Sequence, residues 1–152
     1  MRTAIILWLI LAILPIKTAF ASAVSIDTET AVHCIMGEAR LDYMRGDIYS
    51  FSYHAEALRN RGTTKGVYGC KERWGRTLDK YKEDVAYCEL KGLFKVARKA
   101  WLESKNTNYV KGAQYWGSLS IDQDWIKKME KSGYVKTATT KTTAFYYNKK
   151  ER

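Results

Sequence analysis

The side chain best suited to chemistry in this 152-residue chain is Glu38, in the tetrapeptide Gly37-Glu38-Ala39-Arg40. The pattern places its carboxyl where an apolar helix gives way to a polar stretch, so we expect partial desolvation. Desolvation penalises an ionised carboxyl and raises its pKa, which suits a general acid working near neutral pH. The alternative is that Glu38 forms a surface ion pair with Arg40 or another cation, and spacing alone favours this alternative.

Three cysteines, Cys34, Cys70 and Cys88, are the other reactive side chains. An odd number cannot pair completely within one chain, so we expect one free thiol or one intermolecular link, with the pairing left open. A nucleophile pair of Cys34 or Cys70 with His54 is a further alternative. Neither His33 nor His54 is at a recognisable zinc spacing, so we expect no metal site and no cofactor.

Apolar spacing predicts the two helices that carry most of these side chains. Asp27 or Thr28 is a suitable N-cap for the first helix, in which Glu38 lies near the carboxyl end. A second helix is predicted from Asp47 as N-cap to Gly62 as the stop residue. The apolar positions are Val32, Ile35, Met36 and Ala39 in the first helix, and Ile48, Phe51, Ala55 and Leu58 in the second.

Further along the chain, helices are predicted over residues 79–88, 92–104 and 124–131. Glycines interrupt any helical period over residues 63–77, which predicts a loop or a short irregular hairpin. Aromatic and β-branched residues favour a strand or loop over residues 109–117, and a strand or hairpin over residues 134–147. The apolar stripe of the 92–104 helix is expected in the core and consists of Leu93, Val96, Ala97, Ala100 and Trp101.

The first 21 residues have the composition of an export signal. Arg2 precedes the apolar run Ala4–Ile16, and small residues surround Ala21. The run is shorter than the roughly 20 residues that a spanning helix needs. We therefore expect a signal peptide or signal anchor over residues 1–21 and a single domain over residues 22–152. The protein is then periplasmic or extracellular, and tethered to the membrane if the signal is not cleaved.

The charge balance bounds the partners more than the fold. The chain has 26 basic and 16 acidic residues, a net charge of +10. Loss of residues 1–21 removes Arg2 and Lys17 but no acidic residue, which leaves +8. Such an excess attracts anionic partners in a salt-sensitive way. A composition that is 46% hydrophobic, with a single proline, argues against disordered and low-complexity classes.

Four segments occur in the order and approximate spacing of the SleB/CwlJ cell-wall hydrolase family, which this chain resembles from about Glu29 to Tyr147. The tetrapeptide Gly37-Glu38-Ala39-Arg40 is the most specific of them, and the others support it by their order. These others are Ala57-Leu58-Arg59-Asn60-Arg61, Gly112-Ala113-Gln114-Tyr115-Trp116 and Thr142-Thr143-Ala144-Phe145-Tyr146-Tyr147.

The resemblance implies a lysozyme-like α+β domain, mainly helical with a small antiparallel β element, that cuts peptidoglycan glycan strands at the MurNAc-GlcNAc bond. It implies a lytic transglycosylase in which Glu38 is the family's glutamate. In that reaction one carboxyl protonates the glycosidic oxygen and then takes the proton of the sugar's own C6 hydroxyl, so a second carboxylate is not required. A two-acid hydrolase is left open, with Asp42, Asp47 or Glu56 as the second acid.

Aromatic and hydroxyl side chains suit a glycan groove, because rings pack on the CH faces of sugars and hydroxyls bond their polar edges. The expected partners are peptidoglycan glycan strands, with no nucleic acid, and with transient membrane contact through the N-terminal segment. The protein is expected to be a monomeric phage endolysin or bacterial wall-remodelling enzyme. The alternative is a non-catalytic basic module that binds wall polymer or another polyanion. The expected substrate-binding residues are Tyr115, Trp116, Thr142, Thr143, Tyr146 and Tyr147.

Overall fold

The computed structural model describes residues 25–151, so the predicted signal over residues 1–21 lies outside the described residues. Helix α1 (Thr28–Met44) opens the fold, and Asp27 is its N-cap because the carboxylate accepts the Thr30 amide at 2.9 Å. The sequence predicted that this helix ends near Glu38, and that prediction was wrong. The helix continues to Met44 because the residues after Glu38 are still packed, with Ala39 fully buried.

Helix α2 (Ser50–Arg61) ends where it was predicted to end, at Gly62 in the left-handed conformation with φ of 68°. The prediction of its start was wrong. Tyr49 occupies the N-cap position, while Asp47 is buried and its side chain accepts from the amide and hydroxyl of Thr142, the latter at 2.6 Å. Ile48 precedes the helix and is 65% exposed, so it does not belong to the apolar face.

The remaining helices lie close to their predicted positions. They are α3 (Leu78–Leu90), α4 (Leu93–Glu103) and α5 (Gln123–Lys131). The predicted loop over residues 63–77 contains two short 3₁₀ turns, Tyr68–Cys70 and Glu72–Gly75. The apolar stripe of α4 faces the core as expected, with four of its side chains buried and Val96 partly buried against them.

Three antiparallel strands form one sheet in the order β1-β3-β2. Strand β1 (Tyr115–Ser118) occupies only the end of the predicted 109–117 segment. Strands β2 (Tyr134–Thr139) and β3 (Thr143–Asn148) form the predicted hairpin. The register places Trp116 of β1 opposite Phe145 of the central strand β3, which sets the position of the indole ring.

The core lies between α1, α2 and α4, and a smaller cluster around Phe145 joins α2 to the sheet. Residues 25–151 thus form five helices and one three-stranded antiparallel sheet, an α+β arrangement in which helices dominate. No helix in this part of the chain is both long and apolar enough to cross a membrane.

Candidate active site

Glu38 lies on the wall of a cleft of about 670 Å³. The cleft is bounded by α1, by the turn Tyr68–Cys70, by the loop 119–122 after β1, and by the tip of the β2–β3 hairpin. Glu38 projects from the middle of α1 and is half-buried. A helix in the core therefore presents this carboxyl to a concave surface large enough for a small ligand.

Two N–H donors hold the carboxylate of Glu38. The Gly69 amide donates to Oε1 at 2.6 Å, and the indole Nε1 of Trp116 donates to Oε2 at 3.0 Å. The donors come from the turn Tyr68–Cys70 and from β1, which are 31 and 78 residues away in the sequence. One hydrogen bond on each oxygen fixes both the position and the rotation of the carboxyl group.

Arg40 does not pair with Glu38. Its guanidinium is buried on another side of α1, where it donates to Asp84 Oδ2 at 3.0 Å and lies 4.2 Å from the centroid of the Trp74 ring. It also donates to two carbonyl groups of its own helix. No ion pair within residues 25–151 includes Glu38. The surface ion pair that spacing alone favoured is therefore wrong for the described residues.

A disulfide between Cys34 and Cys70 ties the turn Tyr68–Cys70 to α1. It assigns the pairing that the sequence left open, and Cys88 remains as a free, buried thiol. The alternative of a Cys/His nucleophile pair is wrong, because both cysteines proposed for it are joined to each other. His54 is also buried, and its Nδ1 bonds to the Ser50 carbonyl oxygen at 2.8 Å.

Of the three candidates for a second acid, Glu56 has a structural role. It is buried, and its carboxylate accepts from the Thr107 hydroxyl at 2.7 Å and from the amides of Tyr109 and Val110 at 2.9 and 2.8 Å. These bonds tie the 107–110 segment to α2. Glu56 therefore does not reach the cleft.

Asp47 also lies behind the cleft rather than in it. Burial acts to raise its pKa, but hydrogen bonds from Thr140 and Thr142 outweigh that effect and hold the pKa below the usual value. The carboxylate therefore favours its ionised form and orients Thr142, which does line the cleft. Asp47 is 2% exposed and cannot act on a bound substrate directly.

Asp42 is the candidate second acid that faces the cleft. It lies one helical turn after Glu38 and is half-buried. Positions four apart share one face of a helix, with Cβ atoms about 5–6 Å apart.

Within residues 25–151, no three His, Cys, Asp or Glu side chains are placed to hold a metal ion.

The six predicted substrate-binding residues do not all lie in the cleft. Thr142 lines the cleft, and Trp116 reaches it through the hydrogen bond to Glu38. Tyr115 and the ring of Trp116 line a second, smaller hollow beside it. Tyr147 is half-buried on β3 opposite Val135 and is not among the residues that line either space.

Thr143 and Tyr146 are core residues and not groove residues. Thr143 is 2% exposed and Tyr146 fully buried, and the Tyr146 hydroxyl donates to Glu130 at 3.1 Å. Alternation along a strand should turn one of two neighbours outward. The side chains of β3 do alternate, with Phe145 toward α2 and Tyr146 toward α5, but both faces of this central strand are covered, so neither side chain reaches a groove.

Several cleft residues were missed by the sequence analysis. Tyr68, which is 57% exposed, and Ile121, which is 82% exposed, both line the cleft. Arg45 and Lys141 contribute cations to the lining. The available signal was the apolar pair Leu119 and Ile121 in an otherwise polar segment without helical period, since exposed apolar side chains are informative when they cluster.

Comparison with family models, with curated proteins and with solved structures gives no match. The resemblance to the SleB/CwlJ family therefore depends on the four sequence segments alone. The geometry of the cleft is a separate observation from this resemblance, because it consists of the positions and hydrogen bonds of the residues around Glu38.

Proposed function

We propose that the protein cleaves peptidoglycan glycan strands at the MurNAc-GlcNAc bond, with Glu38 as general acid and base. The observation that carries this proposal is the Glu38 carboxyl on the wall of the 670 Å³ cleft, held by two N–H donors and unpaired with any described cation. Helices and a small antiparallel sheet around one cleft also support the lysozyme-like fold that we propose for the domain.

The geometry suits a single carboxyl that acts twice. Each Glu38 oxygen accepts one N–H and keeps a second lone pair that can carry a proton. The protonated carboxyl gives its proton to the glycosidic oxygen as the C1–O bond breaks. The resulting carboxylate then takes the proton of the C6 hydroxyl as that oxygen bonds to C1, so the product is a 1,6-anhydro sugar and water is not consumed.

The positions of the resembling segments support the same proposal. Three of the four contribute to the site, through Glu38, Trp116 and Thr142. These residues are far apart in the sequence, and chance similarity in short segments gives no reason for them to gather at one cleft. The fourth segment lies in α2 and supplies Arg61 to the adjoining hollow.

A second candidate mechanism is a hydrolase with two acids, because Asp42 also lines the cleft. Retaining glycosidases place their two carboxyl groups about 5–5.5 Å apart. The i, i+4 spacing of Glu38 and Asp42 is compatible with such a distance. The two mechanisms differ in their product, since hydrolysis leaves a reducing sugar while transglycosylation leaves an anhydro sugar that is one water lighter.

The test compares Glu38→Gln with Asp42→Asn in the purified protein, using clearance of a peptidoglycan suspension and mass spectrometry of the released fragments. We expect Glu38→Gln to lose at least about 100-fold in rate, the usual contribution of a general acid. Its circular dichroism and Tm should match those of the parent. Asp42→Asn should retain most of the rate and still release anhydro fragments. Full activity in Glu38→Gln would reject the proposed function.

The rival function is a non-catalytic basic module, which the net charge of +10 favours. It predicts salt-sensitive binding to peptidoglycan with no new fragments, and the same binding in Glu38→Gln.

The proposed enzyme acts outside the cytoplasm, and the Cys34–Cys70 disulfide supports this location because disulfides persist in oxidising compartments.

A further inference from the structure

A second hollow of about 300 Å³ adjoins the cleft that contains Glu38. Asp122 lines both spaces, and Trp116 lines the hollow while its indole donates to Glu38 on the cleft wall, so the hollow and the cleft share a wall. Arg61, Tyr115 and Trp125 line the rest of the hollow together with the segment Gly66–Val67. Three aromatic side chains therefore surround a small space next to the candidate acid.

Trp125 is held in place by the sheet on which it packs. Its ring lies over Gly117 of β1 so closely that an added Cβ at Gly117 would be 2.6 Å from the ring. The ring also makes an edge contact with Tyr146, at 6.1 Å between ring centroids. Trp125 is half-buried and lines the hollow, so a preorganised aromatic surface is available there.

The polar groups of the hollow provide both a donor and an acceptor. Arg61 is held by hydrogen bonds to the carbonyl oxygens of Gln114 at 3.2 Å and Lys65 at 2.8 Å, which leave further guanidinium N–H groups. Asp122 accepts the Ser118 amide on Oδ2 at 2.7 Å. Its Oδ1 is not used in that bond and is available as an acceptor.

We propose that this hollow binds an additional sugar of the glycan strand, an uncharged N-acetylhexosamine ring next to the ring held at Glu38. Aromatic faces with one donor and one acceptor match a pyranose, which has apolar CH faces and a polar edge. The charges of Arg61 and Asp122 offset each other, which favours a neutral ring over an anionic group. The identity of the polymer in this proposal rests on the proposed function. Because the hollow and the cleft share a wall, one glycan strand can occupy both.

The test measures binding and not cleavage, so the outcome is separate from that of the proposed function. Full-chain Glu38→Gln protein is titrated by calorimetry with chitobiose and with chitotetraose, which are uncharged N-acetylglucosamine oligomers. We expect the tetramer to bind at least about tenfold more tightly than the dimer. Adding Trp125→Ala should lower the affinity for the tetramer roughly fivefold to tenfold, the contribution of one aromatic contact, and leave that for the dimer unchanged. The control is Tyr87→Ala, since Tyr87 is 46% exposed on α3 and outside both spaces.

A second measurement keeps the inference testable if Trp125→Ala unfolds. In 5-fluorotryptophan-labelled Glu38→Gln protein, saturating chitotetraose should shift the Trp125 fluorine resonance, and chitobiose should not. Equal affinity for both oligomers, an unmoved Trp125 resonance, or no binding of the tetramer would each overturn the sugar site. Retained lysis by Glu38→Gln would instead reject the catalytic role of Glu38 and leave the binding result as it stands.

Discussion

Gly37 of α1 and Gly69 of the turn Tyr68–Cys70 lie in direct backbone contact. A Cβ added at Gly37 would overlap the Gly69 carbonyl group, and one added at Gly69 would lie 2.5 Å from the Cys34 oxygen and 2.6 Å from the Glu38 nitrogen. The Gly69 amide is also one of the two donors to Glu38. The paired glycines thus allow the turn to come close enough to hold the candidate acid.

Gly37→Ala should therefore destabilise the fold, although alanine is the better helix former. In an exposed helix interior the same substitution stabilises by up to about 1 kcal/mol. Here the added methyl group forces the turn Tyr68–Cys70 away from α1, at a cost of about 1–3 kcal/mol in unfolding free energy. Because the Gly69 donor moves with the turn, the rate of the proposed glycan cleavage should fall as well. Urea denaturation and peptidoglycan clearance measure the two effects.

The matched control for this substitution is Gly92→Ala, between α3 and α4. Gly92 has a φ of 68° and an open surrounding, so alanine there costs about 1 kcal/mol through backbone strain alone. The rate per folded molecule should be unchanged in the control. A Gly37→Ala protein that is more stable than the parent would show that the turn does not press on α1.

The disulfide assignment predicts the number of reactive thiols in each state. Cys88 is 1% exposed, and burial raises the pKa of its thiol, so the native protein should not react with iodoacetamide near neutral pH. Denaturation without reductant should expose one thiol, and reduction should expose three. Before reduction, two modified cysteines, or any modification at Cys34 or Cys70, would contradict the pairing.

Loss of the disulfide should also weaken the fold around the site. Its cysteines are 36 residues apart in the sequence, and closing a loop of that size stabilises by about 2–4 kcal/mol. The double variant Cys34→Ala with Cys70→Ala should lose that amount of unfolding free energy. The proposed glycan cleavage should also be slower, because the turn that carries the Gly69 amide is no longer tied to α1.

The features that sequence could predict have local causes. Asp27 caps α1 through an amide three residues away, and Gly62 ends α2 through its own backbone conformation. The periodic stripe of α4 likewise depends only on spacing within one helix. Each of these predictions required no knowledge of a distant partner, and each was confirmed.

The features that sequence missed have distant causes. Asp47 has the right chemistry for an N-cap, but Thr142, 95 residues later, takes its carboxylate instead. The two donors that hold Glu38 are also distant in the sequence, at 31 and 78 residues. Tyr146 was assigned to the groove for its aromatic ring, and the sequence does not show that α2 and α5 cover both faces of β3. The Glu38 side chain was therefore identifiable as a candidate, while its immediate surroundings were not.

Trp116→Phe should separate positioning of Glu38 from substrate binding. Phenylalanine keeps an aromatic ring against His54, whose centroid is 5.6 Å from that of Trp116, but removes the Nε1 donor to Glu38. A hydrogen bond to a charged group contributes about 1.5–3 kcal/mol, so kcat should fall at least about tenfold while KM changes little. Steady-state kinetics on soluble glycan fragments measures both constants.

The control for that variant is Trp74→Phe, which removes the same kind of donor from the core. The Trp74 indole donates to the His33 carbonyl oxygen at 2.9 Å and does not line the cleft. Its loss should lower the Tm but leave kcat per folded molecule unchanged. An unchanged kcat in Trp116→Phe would mean that the Gly69 amide alone positions Glu38.

The raised pKa of Tyr146 predicts how the stability of the fold changes at alkaline pH. Burial and the hydrogen bond to Glu130 raise the pKa of its phenol from 10.0 to about 12. The unfolded chain therefore releases this proton at lower pH than the folded chain, so the associated stability is complete below pH 10 and is lost as pH rises toward 12. The shift corresponds to about 2–3 kcal/mol. Urea unfolding at several pH values should show this loss in the parent but not in Tyr146→Phe, and parallel pH curves for the two proteins would show that Tyr146 ionises normally in the folded state.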